Sequence, residues 1–261
     1  MKSGGTVNTD RIAVVIEDDA DVREVIAAIL IEAGFEVLLA GTGAEGVELV
    51  RLHAPTLTTL DVNMPGMDGF ETLKRIRLLS TRSIIMISAR FDEVDVVRGL
   101  SAGADDFVAK PFRTGELRAR IDAVLRRAPN EVEPLAAAPG LQAAPGLQPN
   151  SAPNDSSGWL HHDGVRLDSA RRVVEVAGAS VLLTRSEFDL LARLLQPVDR
   201  VHSKSELILE LRGERYATAL VTEADKRSLE VHVANLRRKI GPAERIETVR
   251  GVGYRLASTT A

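Results

Sequence analysis

Apolar residues in the first half of the chain cluster in short runs, at Ile12–Ile16, Glu36–Leu39, Leu57–Leu60, Ile84–Ile87 and Phe107–Val108, with helix-period segments between them. Runs of that length bounded by turn residues suit buried strands, and their alternation with helices predicts a doubly wound parallel α/β sheet. In the first intervening segment Val22, Val25, Ile26 and Ile29 recur at helical spacing, Asp19 or Asp21 can cap its start, and Gly34 can end it. In a sheet wound this way ligands sit at the carboxyl ends of the strands, so chemistry is expected there.

The pattern then changes twice. From Ala128 to Gly158 the chain turns to Pro, Ala, Gly, Asn and Ser, and Ala138-Pro-Gly-Leu-Gln142 recurs as Ala144-Pro-Gly-Leu-Gln148. With so little apolar surface to offset ordering entropy, residues 129–157 read as a flexible linker spanning about 30 Å root-mean-square. Such a tether favours coupling of its flanking domains by local concentration over a fixed contact between them. Beyond it, β-type segments at Val165–Leu167, Val173–Val176 and Val181–Leu183 precede three helices, over about Ser186–Leu195, Lys204–Leu211 and Lys226–Ile240. A hairpin over Ile246–Leu256, turning at Arg250-Gly-Val-Gly253, closes the pattern and predicts an α+β winged helix. The organisation is therefore a tail (1–10), an α/β domain (11–128), a linker (129–157) and a winged-helix domain (158–258).

Composition narrows the chemistry. None of the 261 residues is a cysteine, which excludes disulfides, thiolate metal sites and a cysteine nucleophile, and fits a reducing compartment. No apolar run approaches the roughly 20 residues that span a bilayer, and Met1–Asp10 lacks the apolar core of a signal peptide, so a cytoplasmic location is expected. The net charge of -4 is segregated: residues 1–128 hold 16 basic and 20 acidic side chains, residues 158–261 hold 17 basic and 14 acidic. The first domain thus suits a cation and the second a polyanion.

The first strand ends in Glu17-Asp18-Asp19 and the third in Asp61, so several carboxylates converge on one sheet edge. Mg²⁺ is their natural partner, a hard ion that takes oxygen ligands and bridges carboxylates to phosphate. Asp18 and Asp19 could instead merely begin a helix, where acids favour the dipole. Ser88 at the end of the fourth strand and Lys110 after the fifth, followed by Pro111, weigh against that reading. An aspartate, a metal pair, a hydroxyl and an ammonium together make a phosphoryl-transfer site in which Asp61 attacks in line.

A competing motif, Gly41-Thr-Gly-Ala-Glu-Gly46 with Asp61 20 residues further on, imitates a dinucleotide-binding fingerprint and would make the chain an oxidoreductase. It follows the second strand rather than the first, so Gly41 and Gly43 are read as turn residues. An aspartate-dependent phosphatase is disfavoured because no second acid/base is placed for turnover.

Val14-Val-Ile-Glu-Asp-Asp19, Leu60-Asp-Val-Asn-Met-Pro-Gly-Met-Asp-Gly69, Ile85-Met-Ile-Ser-Ala-Arg90 and Gly103-Ala-Asp-Asp-Phe-Val-Ala-Lys-Pro-Phe112 resemble a bacterial response-regulator receiver domain. The resemblance implies a flavodoxin-like (CheY-like) five-stranded sheet with Asp61 as phosphoacceptor, phosphorylated by a sensor histidine kinase. It also implies that Glu17, Asp18, Asp61 and the Asn63 carbonyl hold Mg²⁺, that Lys110 contacts the phosphoryl group, and that Ser88 and Phe107 form a switch pair.

In the second half, Leu183-Thr-Arg-Ser-Glu-Phe-Asp-Leu-Leu191, the basic helix Lys226–Ile240 and Thr248-Val-Arg-Gly-Val-Gly-Tyr-Arg255 resemble the winged-helix effector of OmpR/PhoB-type regulators. Within that helix Leu229, Val233, Leu236 and Ile240 have core spacing, while Lys226, Arg227, Arg237, Arg238 and Lys239 lie toward its ends. The resemblance implies that Arg227, Arg237 and Thr248 meet phosphates, Asn235 faces bases and Arg250 enters the minor groove. Arg238 and His232 are further contact candidates; with no Cys or His partner nearby, His232 is not read as a metal ligand. Asparagine at 235, where arginine is common, would favour adenine.

Receivers of this kind pair through the fourth and fifth helices and the last strand, here offering Arg98, Asp105, Asp106, Glu116, Arg120 and Arg127. Val96 stands where a basic partner for Glu116 is usual, which predicts a weaker or altered receiver homodimer; the expected target is double-stranded DNA carrying direct repeats. The implied function is phosphorylation-controlled transcription regulation rather than enzyme turnover. An atypical member that binds DNA irrespective of phosphate is the nearest alternative.

Overall fold

The structure is a computed structural model, described over residues 11–89, 93–126, 158–198, 200–212 and 221–257; the tail 1–10, the linker 129–157 and Arg127 lie outside the described residues. The first domain runs β1 (Ile12–Ile16), α1 (Ala20–Glu32), β2 (Glu36–Ala40), α2 (Gly43–His53), β3 (Leu57–Asp61), α3 (Gly69–Arg77), β4 (Ser83–Ser88), α4 (Glu93–Ser101), β5 (Asp106–Ala109) and α5 (Thr114–Arg126). All five strands are parallel in the order β2-β1-β3-β4-β5, the doubly wound arrangement expected.

Two apolar layers sandwich this sheet, because alternate strand residues point to opposite faces. Val14, Ile16, Leu60 and Met86 pack with Phe70, Leu73, Val96 and Leu100 from α3 and α4. On the other side Ala13, Val15, Ile85 and Ile87 meet Ile26, Leu30, Leu117 and Ile121 from α1 and α5. Asp19 caps α1, accepting from the N–H groups of Asp21 and Val22, and Gly34 follows its end at φ 87°. The face of α1 is not the one the spacing suggested at every position: Ile26 and Ile29 are buried, but Val25 is half exposed and Leu30 fills the interior.

The second domain comprises β6 (Trp159–His162), β7 (Val165–Asp168), β8 (Val173–Val176), β9 (Ala179–Ser180), α6 (Arg185–Leu194), β10 (His202–Ser203), α7 (Lys204–Leu211), α8 (Glu223–Ile240), a 3-10 turn, β11 (Ile246–Val249) and β12 (Gly253–Leu256). An antiparallel sheet β6-β7-β8-β9 leads into three helices, and a sheet β10-β12-β11 forms the wing. The third expected strand, Val181–Leu183, is not one; β9 ends at Ser180, and the segment after it leads to the Thr184 cap of α6. Thr184 and Glu187 form a reciprocal capping box at α6, and Thr222 with Asp225 forms another at α8. Leu229, Val233, Leu236 and Ile240 of α8 are all fully buried, as their spacing predicted.

The two domains touch. α4 packs against α8, and Val231 of α8 joins the apolar cluster of the first domain rather than that of its own. A fixed contact therefore exists where the linker composition favoured tethering alone.

Candidate functional site

At the carboxyl edge of the first sheet, β1, β3, β4 and β5 deliver Glu17, Asp61, Ser88 and Lys110 to one place. Glu17, Asp61 and Ser88 are 1%, 3% and 0% exposed, so the charges gathered here are held out of water. Lys110 Nζ lies 2.7 Å from Asp61 Oδ1 and 2.8 Å from both carboxylate oxygens of Glu17. The Lys110-Pro111 peptide bond is cis. Asp61 also accepts from the Asn63 N–H at 2.7 Å, and Asn63 Nδ2 stands 3.5 Å from Ser88 Oγ, at the limit of a hydrogen bond.

Burial pushes the Glu17 carboxyl above its ordinary range, only partly opposed by the hydrogen bond from Lys110 and reinforced by the charge of Asp61. Burial pulls the Lys110 ammonium down, but hydrogen bonds and charge from Asp61 and Glu17 outweigh it and leave the lysine above its ordinary value. Carboxyl oxygens of Glu17, Asp18 and Asp61 all lie within 4.8 Å of one another. Such an all-oxygen, multiply negative cluster fits a hard divalent cation better than a soft one. Sequence reasoning missed Arg23, one turn into α1, whose guanidinium donates to the backbone carbonyls of Glu17 at 2.6 Å and Asp18 at 3.3 Å and so fixes the loop that carries both acids.

The glycine-rich segment does different work. A side chain at Gly43 would collide with Thr72 and Met67, and one at Gly46 with Ile16. Those two glycines let α2 lie close against its own sheet and α3, and Gly41 N–H donates to Glu45 at 2.9 Å. Gly43 and Gly46 thus serve close packing within the domain.

Comparison with known proteins decides between the readings that remain. Residues 13–122 match the family "Response regulator receiver domain", and residues 178–256 match "Transcriptional regulatory protein, C terminal". The transcriptional regulatory protein CseB of Streptomyces avermitilis is 39% identical over 92% of this chain and 95% of its own length. The sensory transduction protein RegX3 of Mycolicibacterium smegmatis is 35% identical over 93% and 97%. The chain belongs to the OmpR/PhoB-type response regulators. Among solved structures, a mutant of RitR matches over 95% of this chain and 99% of its own at a TM-score of 0.67 and 20% identity, a likeness of fold. The response regulator is thus a two-component transcription regulator with a receiver and a DNA-binding domain, and its relatives carry the names of regulators rather than enzymes. Among its described residues no helix is long and apolar enough to cross a membrane.

In the effector domain of this regulator the expected DNA-contact residues divide into two groups. Arg227 and Arg238 are exposed on α8, and Arg250 is exposed in the turn of the wing. Arg237 donates to the Ile246 carbonyl at 2.6 Å and to Thr248 Oγ1 at 2.7 Å, so both are engaged in bracing α8 against the wing. His232 and Asn235 are only 2% and 4% exposed, and it is the receiver that covers them. Asn235 Nδ2 donates to the Leu100 carbonyl at 2.9 Å, and His232 Nε2 lies 3.2 Å from the Asp105 carbonyl.

The residues expected at a receiver dimer face are similarly split. Arg120 grips Asp106 with two 2.7 Å contacts and holds Glu116 at 3.7 Å. Arg98 lies over the Phe70 ring, 4.0 Å from its centroid. Val96 is buried in the receiver core, so it offers no partner to Glu116. Asp105 is buried, and its carboxylate binds Arg77 at 2.7 Å, the Ile84 N–H at 3.0 Å and, across the domain boundary, the Ser186 N–H at 2.9 Å.

Proposed function

We propose that Asp61 accepts a phosphoryl group from a sensor histidine kinase, and that this modification promotes receiver pairing and promoter binding in the cytoplasm. The observation that carries the reading is the gathering of Asp61, Glu17, Asp18, Ser88 and Lys110 at one edge of the sheet. Mg²⁺, held by Glu17, Asp18, Asp61 and the Asn63 carbonyl, would supply positive charge to the transferring phosphoryl oxygens. Lys110, which pairs with both Glu17 and Asp61, would neutralise charge on an oxygen of the transferred phosphoryl group. Ser88 and Phe107 then rearrange as the switch pair; the Phe107 ring packs beside Gly99 on α4, so movement there is felt by that helix.

In the phosphorylated form we propose that receivers pair through α4, β5 and α5 using Arg98, Asp106, Glu116 and Arg120, with Asp105 joining once it is released. Two effectors are then set on a direct repeat. Arg227, Arg237 and Thr248 serve the phosphates, Asn235, Arg238 and His232 the groove, and Arg250 the minor groove. Each exposed ion pair contributes only about 0–1 kcal/mol, so the network acts jointly with apolar contacts.

Incubation of the full chain with acetyl phosphate and Mg²⁺, followed by intact mass, tests the phosphoacceptor. Wild type gains one phosphoryl group, while Asp61→Asn and metal-free wild type gain none. An adduct of equal yield in Asp61→Asn would refute the assignment.

A further inference from the structure

Where the effector meets the receiver beside α6, a cavity of about 350 Å³ opens between the turn that precedes β4 and the hairpin that joins β7 to β8. Leu183 and Phe188 give it an apolar wall, and four arginines line it as well: Arg82 from the receiver, and Arg171, Arg172 and Arg185 from the effector. We propose that this cavity binds a small molecule bearing a diphosphate, held by guanidinium groups from both domains at once. The proposal goes beyond the regulator reading and depends neither on the phosphorylation pocket nor on any contact with DNA.

Charge, shape and size point to that ligand together. Asp168 pairs with Arg171 at 3.1 Å and Asp189 with Arg172 at 3.0 Å, and neither acid lines the cavity, so positive charge is in excess there. Arg82 is exposed and forms no ion pair among the described residues. Arg185 is only 6% exposed, and water screens a buried guanidinium charge less than one at the surface. Planar guanidinium forks match phosphate oxygens in pairs, and two linked phosphates offer oxygens to both walls where a lone carboxylate has only two. The volume falls at the lower end of the range of about 300–1,000 Å³ usual for small-ligand sites, which suits a metabolite whose organic part rests on Leu183 and Phe188.

Both walls are fixed in place by the fold. Arg77 donates to the Arg82 carbonyl at 2.6 Å and to Asp105 at 2.7 Å, while the other oxygen of Asp105 accepts from the Ser186 N–H, next to Arg185, at 2.9 Å. Arg172 lies over the Phe188 ring, 4.1 Å from its centroid, and donates to the Arg185 carbonyl at 3.3 Å. An entering anion therefore meets side chains that have already lost much of their freedom, which lowers the entropic cost of binding. Arg185 is the first residue of α6, so the positive end of that helix dipole adds to the attraction. Because guanidinium groups come from both domains, an occupied cavity stabilises the contact between them by mass action.

Calorimetric titration of inorganic pyrophosphate into the unphosphorylated full chain, in magnesium-free buffer of fixed ionic strength, tests the proposal. Withholding the metal keeps the acidic cluster of Glu17, Asp18 and Asp61 from taking up the anion. Arg82→Gln and Arg171→Gln each remove one exposed guanidinium, from the receiver wall and the effector wall, and Arg51→Gln on the exposed face of α2 controls for net charge. Wild type and Arg51→Gln are expected to bind one pyrophosphate with equal affinity, and each cavity variant to bind it at least about tenfold more weakly. Orthophosphate is expected to bind wild type more weakly than pyrophosphate does. Absence of one-to-one binding by wild type, an equal weakening in Arg51→Gln, or orthophosphate binding as tightly would overturn the proposal. Wild-type affinity in either cavity variant overturns it too, since the anion would not bridge the domains; if that variant also lost affinity for duplex DNA, these arginines would belong to a nucleic-acid contact instead.

Discussion

His202 carries both ring nitrogens into the effector interior, fully buried and without a hydrogen-bond partner among the described residues; Glu206 Oε1 at 3.7 Å from Nδ1 is too distant to accept. Burial holds its pKa below the ordinary value, and the nearby charges of Arg193 on α6 and Arg200 add to that, with Glu206 on α7 opposing. The unfolded imidazole takes up a proton near pH 6.5, whereas the folded one resists until lower pH, so the unfolded state binds more protons in that window. Stability is therefore lost as pH falls below about 6.5. Urea denaturation across that range should show the decline in wild type and a shallower slope in His202→Leu; identical slopes would exclude the histidine as its source. At this scale the gathering of Glu17, Asp61, Ser88 and Lys110 at one sheet edge was legible because each residue type is tied to a strand end. The role of Arg23 was not, since its partners are backbone carbonyls that leave no mark in the side-chain pattern. Asp105 was legible only as a charged surface residue, whereas its partners Arg77 and Ser186 lie far away in sequence.

Among the elements, α3 shows how tightly the pocket is framed. It begins at Gly69, where an added Cβ would run into the Asp61 carbonyl oxygen and the Val62 Cα, both backbone atoms that cannot step aside cheaply. Gly69→Ala must therefore displace the end of β3; it is expected to cost about 1–3 kcal/mol of receiver stability and to slow adduct formation on Asp61. Denaturant unfolding and timed intact mass check the two effects, and an unchanged rate would show that β3 tolerates the shift. The five strands of the receiver could be read from the sequence because each is an apolar run that both faces bury. The effector was harder. β6 at Trp159–His162 and the two-residue strands β9 and β10 have no sustained alternation, and Val181–Leu183 is apolar without being paired as a strand. The core face of α8 was plain from its spacing, but Val231 falls off that face, and nothing in the spacing tells that it packs against another domain.

For the molecule as a whole, the two charge-segregated domains are joined by a contact that the linker composition did not foretell. Electrostatics cross the boundary: Asp225 at the start of α8 adds to the chiefly Asp106-driven stabilisation of charged Arg120 on α5, and burial lowers the pKa of Arg77 against the opposing charges of Asp105 and, from the effector, Glu187. The receiver face proposed for pairing thus already feels the effector, so pairing and the contact between the domains draw on neighbouring groups. Sedimentation equilibrium should show a larger dimer fraction for Asp105→Ala than for wild type without phosphate if release of the effector outweighs loss of the carboxylate; a smaller one would make Asp105 chiefly a dimer contact. The most direct test of phosphorylation control is the affinity of the full chain for genomic duplex fragments, measured with Mg²⁺ in the presence and absence of acetyl phosphate. The structure predicts that the phosphodonor tightens binding by wild type and leaves Asp61→Asn unchanged. Superimposable isotherms for wild type in the two conditions, or an equal response from Asp61→Asn, would contradict it.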